Sequence, residues 1–154
     1  MAKKKQIYIA GPLFSKHERN FLENLAKDIA AITGLDPEAD MFLPHRDAGD
    51  IGFYGGGRGE TFASDLKHLD DASVVVALLD GPDADSGTAV ELGYAYAKEK
   101  EIFGILTDWR RWSPNGKVKN INNMIWGICG KGKRIFRELD EKFSEDIKKA
   151  IKLE

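Results

Sequence analysis

Ser73-Val74-Val75-Val76-Ala77-Leu78-Leu79-Asp80-Gly81-Pro82 decides the fold. The run from Val74 to Leu79 is the longest unbroken apolar stretch of the chain, shorter than an ordinary helix and without the alternation of a half-wet strand. Such a run is the mark of a strand covered on both faces, as in parallel sheets flanked by helices. Asp80-Gly81-Pro82 ends it, because glycine frees the backbone to turn and proline has no N–H for the next ladder bond.

Outward from this strand, strand-like and helix-like pieces alternate. Before it, a helix is expected from about Glu60 to Asp71, with Phe62, Leu66 and Leu69 on one face. Earlier still, Ile7 to Ala10 reads as a strand, Lys16 to Ile32 as a helix closed by Gly34, and Met41 to Pro44 as a short strand. After it come a helix over Ser86 to Lys100, a strand over Ile102 to Leu106 and a polar loop from Thr107 to Asn120. Ile135-Phe136 reads as a last strand, and Leu139, Phe143, Ile147 and Ile151 mark a closing helix. Residues 45–60 carry six glycines and read as a long loop, within which 48–59 is a candidate flap. The alternation predicts an α/β fold: a doubly wound, mainly parallel sheet of about five strands with helices on both faces. Its ligand is expected outside the carboxyl ends of the strands.

Composition narrows the function. The chain has 154 residues, 25 acidic against 23 basic side chains, 42% hydrophobic and 31% charged residues. One domain over residues 1–154 is expected, burying roughly 70% of the surface of its unfolded chain. The near-neutral charge argues against a nucleic-acid partner, and no apolar run approaches a membrane span. The Lys3 to Lys5 cluster leads into a stretch cut by Gly11-Pro12, unlike a secretory signal, so a cytoplasmic protein is expected. A single cysteine, Cys129, excludes an internal disulfide, and His17, His45 and His68 lack metal-ligand spacing.

Three expected strand ends carry candidate chemistry. Asp85-Ser86-Gly87-Thr88-Ala89-Val90-Glu91 follows the buried strand; Asp85 or Ser86 can cap the helix, and Gly87 allows close backbone approach. Glu91 reads either as a solvated helix acid or as a held carboxylate, and its apolar neighbours Val90, Leu92 and Ala95 favour the second. Tyr8-Ile9-Ala10-Gly11-Pro12-Leu13-Phe14 makes a tight turn at the ligand edge, with Tyr8 either a carboxylate partner or a core aromatic. Asp65 lies on the border of its helix, which by itself suits a surface acid. Trp109, Trp112 and Trp126 with Arg110 and Arg111 suit either a ring pocket or a packing contact, and Asn122-Asn123-Met124 suits ring edges.

Taken in order, Tyr8 to Phe14, Asp65 with Asp70-Asp71-Ala72, Asp80-Gly81, Asp85 to Tyr94 and Ile121 to Met124 resemble the nucleoside 2-deoxyribosyltransferase family. The likeness runs from Ile7 to about Ile128 and implies a flavodoxin-like fold. It also implies transfer of a 2-deoxyribosyl group between nucleobases, without metal or organic cofactor. By this resemblance Glu91 is the nucleophile, Tyr8 positions it, and Asp65 exchanges a proton with the base. Asp85 binds the 5′-hydroxyl, and Gly11, Pro12, Phe14 and Gly87 lie against the substrate. Asn122 and Met124 complete the pocket of a neighbouring subunit, which implies a homo-oligomer, a dimer or a hexamer. The family's Asn-Leu-Met triplet is Asn122-Asn123-Met124 here.

A related branch hydrolyses deoxynucleoside 5′-monophosphates and has a serine where this chain has Asp85. A carboxylate repels phosphate and accepts a bond from a free 5′-hydroxyl, so a 2′-deoxynucleoside and a free nucleobase are the expected ligands. A hydrolase using the same Glu91, on nucleosides or their monophosphates, is the alternative enzyme. A non-catalytic nucleoside-binding module is the alternative of another class.

Overall fold

Five parallel strands lie in the order β2-β1-β3-β4-β5, in a computed structural model that describes residues 6–48, 57–110 and 121–151. They are β1 (Ile7–Ala10), β2 (Met41–Phe42), β3 (Val74–Leu78), β4 (Glu101–Ile105) and β5 (Ile135–Phe136). The helices are α1 (Lys16–Thr33), α2 (Pro44–Asp47), α3 (Arg58–Asp71), α4 (Ser86–Ala97), α5 (Asn123–Ile128) and α6 (Glu141–Ala150). This order is that of the flavodoxin-like fold, whose switch point lies between β1 and β3. There the chain leaves one side of β1 and returns on the other, which opens a crevice at the carboxyl edge.

β3 is buried at every residue, as its continuous apolar run requires. The period-two alternation of the strands divides the core in two. Ile7, Ile9, Val74, Val76, Phe103 and Ile105 face α1 and α6, meeting Leu22, Ile29, Phe143 and Ile147. Tyr8, Ala10, Val75, Ala77 and Ile102 face the other way, toward Leu69 of α3, Leu92 and Ala95 of α4 and Ile125 of α5. Tyr8 is therefore committed by β1 to the side occupied by α3 and α4.

Local signals set several helix ends. Ser15 and Glu18 form a capping box at α1, and Gly34 closes that helix with a φ of 74°. Asp140 caps α6, and Phe143, Ile147 and Ile151 are buried along it, as the four-residue spacing predicts.

The structure corrects several boundaries: α4 ends at Ala97, short of Lys100, and β4 runs one residue earlier than expected, over Glu101–Ile105. The second strand stops at Phe42, because Pro44 opens α2, where its fixed φ suits the first helical position. The glycine-rich stretch is not all loop, since Arg58 and Gly59 belong to α3. Asn122-Asn123-Met124 begins a helix, α5, that is too short to leave a readable period. Gly49, Gly52, Gly55 and Gly56 of the expected flap, and Arg111, Trp112 and the rest of 111–120, lie outside the described residues. Among the described residues, no helix is long and apolar enough to cross a membrane.

Candidate active site

A cavity of about 390 Å3 opens at the carboxyl edge beside the switch point. One wall comes from the turn after β1, with Gly11, Leu13 and Phe14; α3 supplies Arg58, Thr61 and Asp65; the α4 end supplies Asp85, Gly87, Thr88 and Glu91. Gly11 has a φ of 157°, and a Cβ there would stand 2.9 Å from a Leu22 methyl and 3.0 Å from Leu78 Cβ. The turn needs glycine to pass between these two core side chains.

The Tyr8 hydroxyl donates to Glu91 Oε1 at 2.6 Å, joining residues 83 apart in the chain. Tyr8 is fully buried, its ring 5.2 Å from that of Phe42, and burial followed by the Glu91 charge pushes its own pKa far up. The phenol thus stays a donor. Glu91 sits on the second turn of α4, and burial pushes its carboxyl up to about 8. The bond from Tyr8 works against that rise, while the charges of Asp65 and Asp85 add to it.

Asp65 faces the cavity from α3, and burial raises its carboxyl to about 6. Its Oδ1 is buried with no hydrogen-bond partner among the described residues. Asp85 is the N-cap of α4: Oδ2 accepts from Thr88 N at 3.0 Å and from Thr88 Oγ1 at 3.3 Å. Three carboxylates therefore converge, two of them held above the usual carboxylate range by lost solvation. Such an arrangement can offer a nucleophilic oxygen and a proton donor a short distance apart.

The other candidates are placed as follows. Gly11, Phe14 and Gly87 line this cavity, whereas Pro12 lines a second one, on the side of α1. Asn122 caps α5, its Oδ1 accepting from Met124 N at 2.8 Å, and Met124 is 73% exposed; neither lines the cavity of its own chain. Trp109 lies under Arg137, and Arg110 lines the second cavity. Cys129 is buried, which pushes its thiol up to about 12 and leaves it a core side chain. His45 pairs with Glu23 at 2.9 Å and His68 stacks on Phe42. Among the described residues, no group of three or more His, Cys, Asp or Glu could hold a metal ion.

Arg58, Thr61 and Thr88 are lining residues that sequence reasoning passed over. Their signal was available as spacing: 58, 61 and 65 fall on one helical face, as do 88 and 91.

The family model described as nucleoside 2-deoxyribosyltransferase matches residues 7–147. An uncharacterized Ureaplasma parvum protein, UU063, is 32% identical over 142 residues, covering 84% of this chain and 88% of the relative. A conserved protein from Enterococcus faecalis V583 superposes with a TM-score of 0.70 at 27% identity, over 97% of this chain and 98% of that one. The 2-desoxiribosyltransferase from Leishmania mexicana shares the fold with a TM-score of 0.65 at 21% identity, over 94% and 97% of the two chains. On the family match, which spans most of the chain, this protein belongs to the nucleoside 2-deoxyribosyltransferase family.

Proposed function

We propose that the protein transfers the 2-deoxyribosyl group of a 2′-deoxynucleoside to another nucleobase through a covalent intermediate on Glu91. The supporting observation is the 2.6 Å bond from a fully buried Tyr8 to Glu91 at the wall of an open cavity that Asp65 also lines. Tyr8 occupies Oε1, so Oε2 is the attacking oxygen. Oε2 bonds to C1′ as the C1′–N bond breaks, and the bonding pair leaves with the base nitrogen. Asp65 delivers a proton to the departing base and recovers one from the acceptor base, whose nitrogen displaces Glu91 from C1′. Two inversions give net retention. Positive charge developing at C1′ is stabilised by the anionic Glu91, and the 2-deoxy sugar lacks the hydroxyl that would oppose that charge.

Asp85 supports a nucleoside over a nucleotide as donor. Its carboxylate, with those of Asp65 and Glu91, gives the described lining three acids against one cation, Arg58, which disfavours a phosphate. The assembly is proposed to be a dimer or a hexamer. Phe62, Val90 and Met124, on the neighbouring helices α3, α4 and α5, are 63%, 70% and 73% exposed. Light scattering on the purified protein tests this, and a monomer at working concentration removes the neighbour's role.

The deciding experiment incubates a deoxynucleoside with and without a second free base and separates the products. Transfer yields a new deoxynucleoside only with the added base, together with a sugar adduct on the intact protein by mass spectrometry. Free sugar in equal amount in both arms makes the enzyme a hydrolase instead. No turnover in either arm, with ligand binding retained, makes it a binding module.

A further inference from the structure

On the α3 wall, Arg58 and Thr61 take no part in the reaction above. Arg58, Thr61 and Asp65 all line the cavity, and their spacing places them in one row along the helix. At the helical rise the row is about 10 Å long, with Thr61 about 6 Å from Asp65. Asp65, half-buried, is its inner end, and Arg58, exposed, is its outer end. Among the described lining residues Arg58 is the one cation against Asp65, Asp85 and Glu91, yet its side chain makes no hydrogen bond or ion pair with another described residue.

The two helical walls divide the substrate between them. Asp85 and Glu91 on the α4 side are the groups assigned above to the sugar. A base attached at C1′ must leave the sugar on the Asp65 side and extend along the α3 row toward the cavity mouth. Phe14 lines the same cavity and is 59% exposed. The base edge remote from the sugar then meets Thr61 and, from the mouth, the long side chain of Arg58.

We propose that Arg58 reads this remote edge and selects nucleobases with a carbonyl oxygen there over those with an amino group. The inference rests on the transferase reading and names its substrate class. A guanidinium carries donors and no acceptor, so a carbonyl satisfies it, and in a 6-oxopurine N7, beside O6 on the same edge, accepts as well. An amino group turns its own donors against those of the arginine. The Thr61 hydroxyl both donates and accepts, so it serves either edge and does not discriminate. Hypoxanthine is thus favoured over adenine, and uracil over cytosine.

The test measures kcat/KM for these four acceptor bases with one deoxynucleoside donor, in the wild type and in Arg58→Gln. Wild type is expected to favour the carbonyl base in each pair, and Arg58→Gln to lower the carbonyl-to-amino ratio roughly tenfold, as expected for one charged hydrogen bond. An unchanged ratio overturns the role of Arg58. So does a loss in Arg58→Gln confined to a deoxynucleoside 5′-monophosphate donor, which would assign the arginine to phosphate. Absence of exchange with every base in wild type ends the transferase reading itself, and this inference with it, a result distinct from exchange without discrimination.

Discussion

Two clefts of about 390 Å3 each flank the Gly11-Pro12 turn, and both are lined by carboxylates. In the cleft on the α1 side every acid is occupied. Asp80 Oδ1 accepts from Thr107 N at 2.6 Å and Asp108 N at 2.9 Å, and its Oδ2 from the Thr107 hydroxyl. Asp108 is bound by Arg110, whose hydrogen bonds hold its carboxyl down at about 2. Glu18 is tied into the capping box, and the Ser15 bonds hold it below the usual range. In the cleft between α3 and α4, Glu91 has one donor, Tyr8, and Asp65 Oδ1 has none among the described residues. Donors aimed at the anion make an acid structural, while burial without enough donors leaves it reactive.

The contrast is tested most severely at Glu91. Glu91→Gln is expected to lower turnover on the order of 10^4-fold or more and to abolish the sugar adduct. The same substitution should stabilise the fold. Glu91 binds its proton more tightly when folded, with a pKa of about 8 against an ordinary 4.5. Wild-type stability therefore falls as pH rises between those values, and the glutamine variant is spared that loss. Melting curves should show a Tm advantage of the variant that widens from pH 5 to pH 8. A constant gap would mean that Glu91 titrates like an exposed acid.

Asp65→Asn should cost about 10^2 to 10^4-fold, the range of a lost general acid. Donors whose base departs without protonation should recover much of that loss. Equal damage with all donors would reduce Asp65 to a packing residue.

The pH profile of kcat/KM should be a bell with limbs near 6 and 8, because the pair must hold one proton. The two values belong to Asp65 and Glu91 as a coupled pair. In Tyr8→Phe, with activity reduced roughly 10- to 100-fold, the upper limb should move up, since the bond it removes lowers the Glu91 pKa.

The smallest effects on chemistry are expected in the other cleft. Asp80→Ala should destabilise by about 1–3 kcal/mol, measured by urea unfolding, because it strands the amides of Thr107 and Asp108. Its kcat/KM should stay within about tenfold of wild type. A catalytic loss as large as that of Asp65→Asn would erase the distinction between the clefts.

Much of this was legible in residues taken a few at a time. Val74 to Leu79 announced a strand covered on both faces, Gly34 a helix stop, and Phe143, Ile147 and Ile151 an amphipathic face. α2 and α5, of four and six residues, were missed because fewer than two turns leave no period to read. Arg58 was absorbed into a glycine-rich loop because the glycines around it hide a helix start.

The sequence by itself determined the alternation of strands and helices and the family, since periodicity, caps and motif order are properties of the chain. Periodicity and composition could not determine that Tyr8 and Glu91 meet, or that Asp85, Asp65 and Glu91 share one cavity; only the family resemblance implied it. Those facts depend on which strand lies beside which and on the switch between β1 and β3 that opens the crevice. The raised pKa values of Asp65 and Glu91 belong to the same level, because desolvation depends on what surrounds a group in space.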